Sequence, residues 1–180
     1  MPAYIALLRG INVGKAKRVP MALLRDLLTE LGCTEVATLL NSGNAVFQAE
    51  SQDPAELAAR IAAALTSKLD FEVPVIVKSA AELEAIVSGC PIAVDEADHA
   101  RFLVAFAQTP QHLQQLTAIE ALVKAPERFA LGSDAAYLLC ASGILESKAG
   151  EALLGKVGRK WVTCRNWATV LKLHALAGTA

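Results

Sequence analysis

Long apolar runs and aromatic residues are both scarce in this sequence. The longest unbroken apolar run is Ala135–Ala141, seven residues, whereas a membrane-spanning helix needs roughly 20. Aromatic residues make up only 5% of the chain, and an RNA-recognition sheet needs aromatic side chains on which bases stack. We therefore expect neither a membrane partner nor sequence-specific RNA readout by stacking.

Cysteine and histidine are sparse and scattered. The cysteines are Cys33, Cys90, Cys140 and Cys164, and none lies within four residues of another, so the chain has no CxxC motif for zinc or redox chemistry. The sequence predicts no metal site and indicates no cofactor. Its N-terminus shows neither the basic region nor the small-residue cleavage site of a signal peptide. We expect a cytoplasmic protein with reduced thiols.

Small and branched aliphatic residues dominate the composition instead. Hydrophobic residues make up 54% of the chain and the mean hydropathy is +0.40. Alanine and leucine together account for 60 of 180 residues, and both favour helices. A chain of this length can bury a sizeable core as one domain or as two small ones.

The net charge of −1 conceals an uneven distribution. Residues 1–25 hold five basic residues and no acidic one, and residues 148–172 hold six basic residues and one acidic one. The segment 26–147 holds six basic and 17 acidic residues. Because this acidic middle would repel a polyanion, a local anion pocket is favoured over a broad nucleic-acid groove, and a nucleic-acid partner is possible but disfavoured.

The first half of the chain predicts alternating strands and helices. Apolar runs, helical leucine spacing and turn residues define the elements. In order they are a strand over Ala3–Arg9, a helix from Pro20 to Gly32, strands over Glu35–Asn41 and Asn44–Gln48 around a two-residue Ser42-Gly43 turn, a helix begun by Asp53-Pro54 and a strand over Glu72–Lys78. This β-α-β-β-α-β order is the ferredoxin-like pattern, an antiparallel sheet with helices on one face.

A similar order begins again after a junction. Ser79 and Glu82 have capping-box spacing for a short helix, and residues 90–100, which follow Gly89, mix proline with acidic residues. The later elements are a strand over Phe102–Ala107, a helix begun by Thr109-Pro110, strands over Glu127–Leu131 and Ala135–Cys140, a short strand at Val162-Thr163 and helices near 149–157 and 167–177. We predict an α+β protein with ferredoxin-like subdomains over 1–78 and 101–180, joined by a helix and junction over 79–100.

The predicted topology brings two polar segments together. In a β-α-β-β unit the first two strands point the same way, so the segments that leave them lie at the same end of the sheet. The loop 10–19 and the turn 41–44 are therefore expected to meet. Both are rich in glycine and asparagine.

Five motifs closely resemble a widespread bacterial family, domain-of-unknown-function family 1697. They are Tyr4–Gly14 with its LRGINVG string, Val19–Met21, Ser42–Asn44, Thr163–Trp167 and Thr169–Leu173. The resemblance spans essentially the whole chain, and it implies two ferredoxin-like subdomains and no established activity.

The chain also departs from the family pattern. The family often has glycine, glutamine and threonine where this chain has Lys15, Asn41 and Cys164. A role for a Cys164 thiol therefore cannot be general to the family. A packed half-buried cysteine is the favoured interpretation of that residue, and an activated thiolate beside Arg165 is the alternative.

The loop Arg9–Arg18 has the features of an anion site. It follows a strand and precedes a helix that begins at Pro20, so helix-terminal N–H groups and four basic side chains create a positive potential. It has neither a P-loop GxxxxGK[ST] string nor the third glycine of a dinucleotide fingerprint. The alternative is a solvated turn whose glycines serve backbone geometry.

A structural role accounts well for two other motifs, the turn 41–44 and the segment 163–167. Asn, Ser and Gly over residues 41–44 are what a tight turn requires. Before the last helix, Thr163 or Asn166 is the expected N-cap, and Arg165 at a helix start is unfavourable unless it meets an anion or a carboxylate. Trp167 lies on the packing stripe of that helix and is predicted to be core.

Three functions are compatible with these observations. We favour a binding module for a small anionic or phosphate-bearing ligand. One alternative is an enzyme acting on a small anionic substrate between the subdomains, for which no base or nucleophile pair is evident. The other is a structural or regulatory protein that assembles through sheet edges or through its acidic and basic surfaces. The candidate ligand-binding residues are Arg9, Asn12, Lys15, Ser42, Asn44, Arg165 and Asn166.

Overall fold

The computed structural model describes residues 1–179 and divides them into two compact units. Unit 1 comprises Met1–Leu83 and the end of the chain from Leu173, and unit 2 comprises Glu84–Lys172. Each unit contains one four-stranded antiparallel sheet. The predicted α+β class and the ferredoxin-like architecture are confirmed.

Unit 1 forms its sheet in the strand order β2-β3-β1-β4. Its elements are β1 (Ala3–Leu8), α1 (Met21–Glu30), β2 (Thr34–Leu39), β3 (Asn44–Gln48), α2 (Pro54–Leu69) and β4 (Val75–Ser79), and α3 (Ala80–Ser88) follows. Because β1 lies between β3 and β4, its sequence is apolar throughout and all six of its residues are buried. The first two strands run parallel to each other on either side of β3.

The helices of unit 1 begin where the sequence supplies a cap. Asp53 accepts hydrogen bonds from the amides of Ala55 and Glu56 and so caps α2. At α3, the Ser79 amide donates to Glu82 Oε2 at 2.8 Å while the Glu82 amide donates to Ser79 Oγ at 3.2 Å. This reciprocal pair confirms the predicted capping box.

Unit 2 repeats the arrangement with the strand order β6-β7-β5-β8. Its elements are a 3₁₀ helix (Glu96–Arg101), β5 (Phe102–Ala107), α4 (Pro110–Gln114), α5 (Thr117–Glu120), β6 (Arg128–Leu131), β7 (Ala135–Leu139), α6 (Lys148–Leu154), α7 (Lys156–Arg159) and β8 (Val162–Asn166), and α8 (Trp167–Thr179) follows. The central strand β5 is again buried throughout. The helices α4, α5 and α6 pack on one face of the sheet against a core that includes Leu103, Ala105 and Leu138.

Three local predictions are wrong in detail. The β2–β3 connection has four residues instead of two, because Leu39 already pairs with Asn44. The helix predicted after Thr109 is broken into the short helices α4 and α5. The strand β8 extends over Val162–Asn166, so Arg165 lies in a strand and not in the first turn of a helix.

None of the helices within residues 1–179 combines the length and the apolar character that a membrane crossing requires.

Candidate functional site

The loop between β1 and α1 is held in an unusual backbone conformation. Gly10, Asn12, Gly14 and Lys17 all have positive φ, between 50° and 69°. Glycine and asparagine tolerate this region best. The Asn12 amide donates to the Lys17 carbonyl at 3.1 Å. The loop therefore folds back on itself before the chain enters α1.

The side chain of Asn12 ties three segments together. Its Oδ1 accepts from the Val19 amide at 2.9 Å, and its Nδ2 donates to the Val19 carbonyl at 2.9 Å and to the Asn41 carbonyl at 2.6 Å. The carboxamide thus joins the loop, the entry to α1 and the turn before β3. The predicted meeting of loop 10–19 with turn 41–44 is confirmed.

The turn is closed against β1 by a glycine that cannot be replaced without a clash. The Leu8 amide donates to the Gly43 carbonyl at 2.8 Å. Gly43 has φ +86°, and a Cβ built on it would lie 2.6 Å from Leu8 Cβ and 2.8 Å from Ile11 Cδ1. Asn44 is fully buried, and its Nδ2 donates to the Leu39 carbonyl and to Ser42 Oγ, both at 2.9 Å. Its carboxamide supports the turn from beneath.

A surface cleft of about 360 Å³ opens where the loop, the turn and the start of α1 meet. Its lining residues are Asn12, Arg18, Val19, Pro20, Met21 and Asn41. Pro20 precedes α1, and within residues 1–179 no side chain caps the first turn of this helix. No acidic residue lies in that turn. The N–H groups at the helix start therefore keep their partial positive charge near the cleft.

The remaining basic residues of the loop differ in exposure. Lys15, Lys17 and Arg18 are exposed, whereas Arg9 is half-buried at the end of β1 and its amide donates to the Pro74 carbonyl at 3.0 Å. Three cations thus lie on an exposed loop beside the cleft.

Arg165 and Asn166 belong to unit 2. Arg165 Nη1 donates to Thr163 Oγ1 at 2.9 Å and to the Cys164 carbonyl at 2.8 Å. Burial lowers the pKa of Arg165 to about 10, and the nearby Cys164 acts in the opposite direction. Asn166 Oδ1 accepts from the Thr169 amide at 2.9 Å, so Asn166 is the N-cap of α8. Trp167 is buried against Phe102, as predicted.

Three of the four cysteines lie where burial disfavours the thiolate. Burial raises the pKa of Cys33, Cys90 and Cys140; nearby Arg60 partly offsets this at Cys33, and a hydrogen bond with Ser147 does so at Cys140. All four cysteines, each within the described residues, are free thiols. A raised pKa disfavours the reactive thiolate.

Two cleft residues, Arg18 and Asn41, are missing from the candidate ligand-binding set of the sequence analysis. Arg18 is the last basic residue before Pro20, and Asn41 opens the turn, so both lay inside the two segments that topology predicted to meet. The signal was their position within these two segments. Sequence spacing alone does not show which residues of the segments line the cleft.

The repeated β-α-β-β-α-β sheets define each unit as a ferredoxin-like α+β fold, and a polar cleft is attached to the first of them. The family model described as "Protein of unknown function (DUF1697)" matches residues 1–137, and the chain therefore belongs to this family. The match ends before the Thr163–Trp167 motif.

A solved structure shows the same fold. The conserved bacterial protein SP0830 from Streptococcus pneumoniae is 26% identical to this chain, and the two align over 98% of each chain with a TM-score of 0.82. None of the curated proteins matches the chain. The comparisons thus support the family and the fold and carry no activity with them.

Proposed function

We propose that the protein binds a small anionic or phosphate-bearing ligand in the cleft of unit 1. The observation that carries this proposal is the cleft itself, a space of about 360 Å³ at the start of α1 that Arg18 lines. An oxyanion there would accept hydrogen bonds from the first-turn amides of α1 and an ionic contact from Arg18. Lys15 and Lys17 on the adjoining loop add to the positive potential.

The asparagines of the motif act as positioning residues in this proposal. The carboxamide of Asn12 uses its donors and its acceptor on backbone groups, and Asn44 is buried beneath the turn. Together they keep the loop and turn at the separation that leaves the cleft open. A preformed site binds without the entropy cost of ordering the loop. The free cysteines are compatible with the reducing cytoplasm as its place of action.

The proposal is tested with inorganic phosphate and pyrophosphate as probes. In two-dimensional NMR titrations, the amide signals of Met21, Ala22 and Leu23 are expected to shift saturably, and Arg18→Gln is expected to weaken binding about tenfold. Arg25→Gln removes the same charge from α1 outside the cleft and serves as the matched control.

Asn12→Ala is the second test of the proposal, because it removes a side chain that positions the loop. Loss of its hydrogen bonds should loosen the loop and weaken pyrophosphate binding by at least about fivefold. Gln52→Ala also removes a carboxamide that donates to a backbone carbonyl, but Gln52 does not line this cleft, so it should leave affinity nearly unchanged. Shifts that do not saturate, or equal affinity of Arg18→Gln and Arg25→Gln, would contradict a site in this cleft.

A further inference from the structure

The second basic segment of the chain surrounds a tryptophan in unit 2. No acidic residue follows Glu151 in the sequence. Lys156, Arg159 and Lys160 lie in and just after α7, and all three side chains are exposed. Trp161 comes next and precedes β8. Three exposed cations thus lie within five residues of Trp161 in the sequence, with no acidic residue between them.

The indole of Trp161 packs against the core of unit 2 and is also contacted by the exposed Lys160 side chain. It is half-buried and packs against the hydrophobic core of unit 2. The Lys160 ammonium lies over the ring, with Nζ 4.7 Å from the centroid. The imidazole of His112, from α4, lies 5.1 Å away with its plane tilted by 45°. A lysine side chain that reaches the ring from solvent marks an accessible, electron-rich face.

We propose that this cluster binds a nucleotide unit, with the base stacked on Trp161 and the phosphate held by Lys156, Arg159 and Lys160. A planar base takes the place of the Lys160 ammonium on the indole, and that ammonium moves to the phosphate. His112 forms the side wall of the base position. The site lies in unit 2 and does not depend on the cleft of unit 1.

Charge and shape together select this class of ligand. The cations repel a positively charged group, which would otherwise be the natural partner of an exposed indole face. They attract an anion, and the indole requires a flat ring beside it. A base joined to a phosphate supplies both, as in the aromatic platforms and basic grooves that bind single strands. Free nucleotides and single-stranded nucleic acid share this chemistry.

The probes are UTP and a fluorescein-labelled oligo(dT) octamer. Trp161 and Trp167 are the two tryptophans of the chain, so Trp167→Phe leaves Trp161 as the reporter. Saturable quenching of Trp161 fluorescence by UTP is expected if free nucleotides are the ligand. Quenching and a rise in anisotropy with the octamer alone identify a single strand.

Variants separate stacking from charge. Trp161→Leu keeps an apolar side chain against the core and should weaken binding about tenfold, whereas Trp161→Phe should retain most of the affinity. Because these variants lack the reporter indole, their binding is measured by calorimetry for UTP and by anisotropy for the octamer. Replacement of Lys156, Arg159 and Lys160 by glutamine should reduce the slope of log affinity against log salt by about 2 for the octamer. Lys68→Gln, an exposed cation in unit 1, is the matched control.

The proposal is overturned by two results. One is the lack of saturable binding of either probe at low salt. The other is equal affinity of the parent protein, Trp161→Leu and the triple glutamine variant. If Trp161→Leu does not fold by circular dichroism, two results decide the question: the quenching of Trp161 fluorescence by UTP in Trp167→Phe and the affinity of the triple variant, both of which leave Trp161 in place.

Discussion

Positive φ angles at single residues shape the cleft of unit 1. Asn12 and Gly43 have φ of 54° and 86°, and each also makes a contact that joins the loop to the turn. Leu40 has φ 59° although leucine has no side-chain group that stabilises this conformation, and its side chain is exposed. The backbone here is held by the surrounding hydrogen bonds and not by local preference.

Gly43→Ala is expected to destabilise the protein by about 3 kcal/mol. The new methyl group meets Leu8 Cβ, which is fixed by the strand, and the left-handed backbone is strained for alanine. The matched substitution is Gly14→Ala, where φ is +62° but a Cβ meets no atom within 4 Å among the described residues. It should cost about 1 kcal/mol.

Urea unfolding of both variants measures the difference. If Gly43→Ala and Gly14→Ala cost the same, the close approach of the turn to β1 does not limit stability.

Helix caps illustrate what local sequence predicts well at the scale of elements. The caps at Asp53, Ser79 and Asn166 were all expected from the sequence, the last as one of two alternatives. A cap depends on residues within about three positions of each other. No knowledge of the tertiary structure is needed to recognise it.

Asp53→Ala should cost about 1 kcal/mol of stability, because the first amides of α2 lose their acceptor. Thr109→Ala is the comparison, since Thr109 stands at the same position before α4 but its side chain makes no capping bond within the described part of the chain. That variant should change stability by less than about 0.5 kcal/mol. Thermal unfolding of the two proteins is the measurement, and a larger loss for Thr109→Ala would contradict the capping argument.

The β2–β3 connection shows where element-level prediction failed. Ser42-Gly43 has the composition of a two-residue hairpin turn. In the structure Asn44 pairs with Leu39 and also donates to its carbonyl through the side chain, which closes a four-residue connection. The residue types of the turn did not distinguish the two lengths, because both need glycine at positive φ.

At the scale of the whole molecule, both units bury groups that resist deprotonation. Burial raises the pKa of Tyr137 from 10.0 to about 12, with smaller contributions from Cys90 and Asp134. The phenol is buried and donates to the Ile86 carbonyl at 2.7 Å. The folded state thus favours the protonated phenol, as it favours the protonated thiols of Cys33, Cys90 and Cys140.

The titration of these thiols and of Tyr137 is therefore expected to lower stability as the pH rises above 9. The unfolded chain releases protons from thiols near pH 9 and from tyrosine near pH 10, whereas the folded chain retains them to higher pH. For Tyr137 alone the loss between pH 10 and 12 reaches about 3 kcal/mol. Arg165 acts in the opposite direction, because burial lowers its pKa to about 10. Above that pH the folded chain releases the proton while the unfolded chain still holds it, so this group makes stability rise with pH.

Tyr137→Phe tests whether the titration of this phenol lowers stability at alkaline pH. It should cost about 1 kcal/mol near pH 8, where the hydrogen bond to Ile86 is lost, and should flatten the decline above pH 10. Urea midpoints from pH 8 to 11 give both values. An unchanged alkaline slope in Tyr137→Phe would contradict the assignment.

Periodicity, caps and motifs are local properties of the chain, and for that reason the order of the elements, most of the caps and the family could be predicted before the fold was known. Topology even predicted that loop 10–19 and turn 41–44 meet. What each polar residue does there became clear from the three-dimensional arrangement: Asn12 bonds a carbonyl 29 positions away, and Asn44 is buried while Arg18 lines the cleft. Such pairings depend on sheet order and on which side of a strand faces solvent, and no neighbouring residue encodes them.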